Sequence, residues 1–189
     1  AQNYIRPEDL EKITQVYRHR REIPRYARLV PLAEIAANDF NLNIRRFVDN
    51  SPEPEIEDVR AHLAGGVPLR EVQRFSERLA RYGLDGSILL VKREAAYLQF
   101  KPEIMEKAQI RPIIEKNEKV SAIQAEMHER LAGWWEAAHA AMADLPGRNN
   151  LPAFRKLFQK RLLEALLPVG ILDEFQIAGI FVNWWETVR

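Results

Sequence analysis

Cysteine is absent from all 189 residues, which removes disulfides, thiolate nucleophiles and Cys-ligated zinc together. Glycine is sparse, at 8 residues, and no two of them are separated by a single residue. With no Gly-x-Gly pair and no Gly-Lys-Ser/Thr, neither a dinucleotide fingerprint nor a P-loop can be written onto the chain. A methyl-donor site ordinarily needs a Gly-rich turn after a strand, and none occurs. No apolar run approaches the ~20 residues of a membrane span, and residues 1–20 lack a signal-peptide core. Charge of one sign is missing too. The 28 Lys/Arg against 27 Asp/Glu leave a net charge of +1, so any nucleic-acid partner must be met by a local patch. The expectation is a soluble, cytoplasmic protein with no membrane partner.

What remains is rich in apolar residues, at 47%, with 29% charged, a balance that excludes a disordered or low-complexity polymer. A chain of this size buries roughly 70% of its extended surface, enough for a core without staples. The first residue is Ala1, and Arg189 comes only four residues after the apolar run 177–185, so the sequence reads as a segment of a longer chain.

Helical periodicity dominates. Pro7, Glu8 and Asp9 suit a first helical turn, and Leu10, Ile13, Val16 and Tyr17 then recur at helical spacing. A short helix is predicted over 32–38, an irregular stretch over 41–48, and an acidic, Pro-containing linker over 51–58. A helix over 56–63 is stopped by Gly65-Gly66, and another runs from Pro68 to Tyr82. Residues 88–100 have β-like composition and form either a small hairpin or unpaired extended chain. Long helices follow over about 118–142, 151–167 and 173–187, the last apolar nearly all round and therefore in want of burial on every side. The fold class is mainly α: an irregular helical domain or bundle of about six to seven helices, with one candidate hairpin near 88–100. Two domains are expected, a helical connector over 1–50 and a C-terminal helical domain over 51–189.

The search for chemistry is mostly negative. His128 and His139 share a helix face but stand about 16 Å apart along the axis, too far for one ion. Four Ser and four His form no nucleophile signature. No catalytic, cofactor-binding or metal-binding residue is assigned. Basic clusters are the better signal: Arg18, Arg20, Arg21, Arg25 and Arg28, offset by Glu22, then Arg45-Arg46, and later Arg148, Arg155, Lys156, Lys160 and Arg161. Of these, Arg18, Arg20, Arg21, Arg148, Arg155, Lys156, Lys160 and Arg161 are candidates for contact with DNA phosphates, against the plainer reading of solvated helix faces. The Trp134-Trp135 and Trp184-Trp185 pairs cannot place both rings in one seam, because adjacent helical residues diverge by about 100°. One ring of each pair is a candidate interface residue.

The run Tyr26 to Asp49, with Glu34-Ile35 followed by Asn38-Asp39-Phe40-Asn41-Leu42-Asn43-Ile44-Arg45-Arg46-Phe47-Val48, resembles a segment of the modification subunits of type I restriction–modification systems. In that family it lies just downstream of the catalytic domain. Asp58 to Pro68, around His62-Leu63 and Gly65-Gly66, is similar to the next family landmark, and 161–177 to its C-terminal helices. Arg45 stands where the family usually has Pro, and Phe47 where it has Tyr.

The resemblance implies a parent enzyme that transfers a methyl group from S-adenosylmethionine to adenine N6 in DNA, on a base flipped out of the duplex. The family's Pro-Pro-aromatic and Gly-rich motifs are missing, so the segment alone is not expected to be an enzyme or to hold the cofactor. Its implied partners are the specificity subunit, the restriction subunit and DNA. Asn38, Asp39, Asn41, Leu42, Asn43, Ile44, Arg46 and Phe47 become the docking motif: the Asn side chains hydrogen-bond backbone, and Leu42, Ile44 and Phe47 anchor, partly exposed in this chain. The alternative reading is a stand-alone helical protein-interaction module unrelated to methylation.

Overall fold

A computed structural model describes residues 4–51, 57–143 and 151–188. The chain divides into two compact units, residues 1–56 with 175–189, and residues 57–174. The last helix therefore groups with the N-terminal residues, whereas a division at residue 50 would leave it with its sequence neighbours.

In the first unit, α1 spans Pro7–His19. Pro7 occupies a position whose N–H would have no helical partner, and the Arg6 N–H donates to Asp9 Oδ2 at 3.1 Å. Arg20, left-handed at φ 49°, ends the helix. A tight loop follows, in which Ile23 and Ala27 exchange both backbone hydrogen bonds at 2.9 Å. Helix α2 spans Leu32–Ala37, entered at Pro31 as the sequence indicates. The helix that closes the unit, α9, spans Glu174–Val188. Val16, Ile177 and Phe181 are the buried large side chains of this unit. Gly179 of α9 lies against α1 so closely that a Cβ there would stand 2.8 Å from the Glu8 backbone N.

The second unit begins with α3 (Val59–Ala64), capped by Asp58, and β1 (Val67–Pro68). Helices α4 (Leu69–Arg74) and α5 (Ser76–Arg81) are separated at Phe75. The sequence predicts one helix from Pro68 to Tyr82, but Val67-Pro68 pairs as a strand and the backbone relaxes to φ −97°, ψ 0° at Phe75. Strands β2 (Leu90–Lys92) and β3 (Tyr97–Phe100) settle the 88–100 alternative in favour of the hairpin. The sheet order is β1-β3-β2, antiparallel throughout, with Val67 opposite Leu98 and Leu90 opposite Phe100.

Helix α6 spans Ile110–Glu115, α7 Glu118–Ala143 and α8 Leu151–Leu166. Arg130 reaches the Ala165 carbonyl and Trp134 the Phe158 carbonyl, so positions rise along α7 as they fall along α8. The two helices are antiparallel, and Val120, Ala138, Phe158, Leu162 and Leu166 are buried in this unit. Among the described residues there are nine α-helices and one small sheet, a mainly α fold. The linker predicted over 51–58 falls largely on residues outside those described, as does Pro146-Gly147.

Candidate docking site

The Asn-rich run is built from local chemistry. Where α2 ends, the Asn38 side chain donates to the Glu34 carbonyl at 3.0 Å, and the Phe40 N–H reaches back to the Ile35 carbonyl at 3.0 Å. Asp39 and Phe40 then take successive left-handed conformations, at φ 55° and 53°. This is a costly region for a bulky side chain, and it is held by the surrounding hydrogen bonds. Two side-chain turns come next. Asn41 Oδ1 accepts the Asn43 N–H at 2.9 Å, and Asn43 Oδ1 accepts the Arg45 N–H at 3.1 Å. The second caps a 3-10 turn over Ile44–Arg46. Both asparagines therefore bond backbone groups where regular structure stops. With Arg45 in the position the resembled motif gives to proline, its N–H is available for that cap.

The apolar members point away from this scaffold. Phe40, Leu42 and Ile44 are 66%, 73% and 73% exposed, while Phe47 is half-buried and Arg46 exposed. Phe47 lines an open cavity of about 290 Å³ together with Glu22, Ile23, Pro24, Arg25 and Asp49. The cavity's acids already have partners. Glu22 Oε1 accepts the Leu29 N–H at 3.0 Å, and Asp49 accepts the Ser51 N–H at 2.9 Å. Hydrogen bonds from Ser51 hold the Asp49 carboxyl below the usual carboxylate range.

The N-terminal arginine cluster separates into groups with different tasks. Arg28 forms a two-point pair with Glu34 at 2.9 and 2.8 Å, Arg25 donates to the Ser51 carbonyl, and Arg21 lies 5.4 Å from the centre of the Phe175 ring. Arg18 and Arg20 remain exposed at the end of α1. In the second unit, Lys156 and Arg161 are exposed on α8, and Lys160 sits 3.7 Å from Glu164. Arg155 is half-buried and its Nε is buried, which turns it away from the exposed face. Arg148 lies outside the described residues.

The first Trp pair divides its rings as adjacent helical positions require, and the second does not. Trp134 is half-buried, donating Nε1–H to the Phe158 carbonyl at 3.2 Å and meeting that ring edge-on at 6.2 Å, while Trp135 stays exposed beside His139. Trp184 and Trp185 are both half-buried, and Phe181 stacks on Trp185 at 5.8 Å.

One network gave almost no sequence signal. Asp58 accepts the Ala61 N–H, the Tyr97 hydroxyl and the Arg70 guanidinium, all within 3.2 Å. The Ala61 bond, then those from Tyr97 and Arg70, hold its carboxyl below the ordinary value. Arg60 stacks over the Tyr97 ring at 4.7 Å and pairs with Glu94. This ties α3 to the hairpin across some forty residues, and only the Asp58 cap had a local sequence cue. Among the described residues, no three His, Asp or Glu gather at metal-binding distance, and no helix is long and apolar enough to cross a membrane.

Residues 1–56 match the family model of the N-6 DNA Methylases. Over 61 residues the chain is 38% identical to the type I restriction enzyme MjaVII methylase subunit of Methanocaldococcus jannaschii, an alignment covering 32% of this chain and 11% of that protein. The chain thus spans a small part of the curated relative it matches. No solved structure matches. Residues 1–56 are thus similar to N-6 DNA methylases, and 61 residues of the chain to a type I restriction enzyme methylase subunit.

Proposed function

We propose that this chain is a non-catalytic, C-terminal portion of a type I modification methyltransferase, whose parent transfers a methyl group from S-adenosylmethionine to adenine N6 in DNA. In this reading the Asn-rich run docks against the catalytic portion of the parent, and the helical unit meets the specificity subunit, with the restriction subunit joining the assembled complex. Lys156 and Arg161 on α8 contact the DNA backbone. No residue of this chain is assigned to the cofactor, because no Gly-rich turn offers it a place.

The observation that carries the docking role is a mismatch between order and exposure. The backbone of 38–45 is held by hydrogen bonds from or to its own Asn side chains and the end of α2, yet it presents Phe40, Leu42 and Ile44 to solvent. Exposed apolar anchors on an ordered backbone suit an interface core, because little backbone freedom is then lost on binding.

The test is co-expression of the full-length parent, carrying Leu42→Asp with Ile44→Asp, alongside the tagged specificity subunit. Both side chains are exposed, so stability of the first unit, which carries them, should stay within about 0.5 kcal/mol of wild type. Methylation of DNA by the purified complex should fall sharply as the catalytic portion loses its seat. Full methylation by the double variant would reject the docking role.

A further inference from the structure

We draw no further inference here: the strongest candidate, the open cavity of the first unit between the loop at 22–28 and residues 47–49, carries nothing, because its charged side chains Glu22, Arg25, Arg28 and Asp49 already hold partners within that unit and nothing in the structure shows what covers its apolar wall.

Discussion

Gly179 and Gly133 are both helical glycines, and replacing each by alanine should have opposite effects. At Gly179, on α9, a Cβ would lie 2.8 Å from the Glu8 Cβ, 2.8 Å from its backbone N and 3.0 Å from its Cα. Ordinary carbon contacts lie near 3.5–4.0 Å, so the shortfall is about 0.7 Å or more. Two of the three atoms are backbone and cannot rotate aside, so α1 and α9 must move apart. Overpacking of this kind costs about 1–3 kcal/mol. Alanine returns about 1 kcal/mol of helix propensity, which leaves Gly179→Ala destabilising by about 0–2 kcal/mol. At Gly133, on α7, nothing lies within 4 Å of the added Cβ. Only the propensity gain operates there, and Gly133→Ala should stabilise by about 1 kcal/mol. Because the propensity gain is common to both, the difference between the two substitutions isolates the packing cost of about 1–3 kcal/mol. Urea unfolding measures each, and hydrogen exchange of α1 and α7 amides assigns each effect to its unit. If Gly179→Ala stabilises as much as Gly133→Ala, the close approach of α1 and α9 is wrong.

Asp58→Asn should destabilise the second unit and release α3 from the hairpin, visible as faster exchange of the Ala61 amide. The same carboxylate sets a pH dependence. Its folded value is lowered, so its contribution is complete above the ordinary aspartate value of about 3.9 and is lost as pH falls through the lower folded value. Acid titration of the wild type should therefore show a loss of stability in that window that Asp58→Asn lacks, and identical profiles would remove Asp58 as the cause. For the DNA role, Lys156→Glu with Arg161→Glu should weaken duplex binding by the assembled methyltransferase and flatten its salt dependence by about one unit of slope per lost phosphate contact. Unchanged affinity across salt concentrations would reject α8 as a phosphate-contacting face.

The parts of the fold written in short-range chemistry were legible. Pro7-Glu8-Asp9 opens α1, Gly65-Gly66 ends α3, and the asparagines at 41 and 43 take backbone partners two residues on. In each case the determining groups are within four residues of one another. The strand at Val67-Pro68 was not legible for the opposite reason: it is claimed by Leu98 and Tyr97, about thirty residues away, a pairing no local pattern announces. Nor does any local signal mark the break at Phe75 that divides the helix predicted from Pro68 to Tyr82. The DNA candidates show the same limit. Five arginines between 18 and 28 look like one patch, yet Arg28 is taken by Glu34, Arg25 by Ser51 and Arg21 by the Phe175 ring.

By itself, then, the sequence determined the places of α1, α2 and the three long helices α7, α8 and α9, the irregular asparagine-capped run and the similarity to DNA methylases, because each rests on neighbours in the chain or on a motif read in order. Only the tertiary structure decided which faces those helices spend on burial. Val16 is covered while Leu10, Ile13 and Tyr17 are left out, and α9 closes onto the N-terminal unit through a glycine at the contact. Periodicity can mark an apolar stripe, but burial depends on what other elements bring to it, and that is a property of the folded chain.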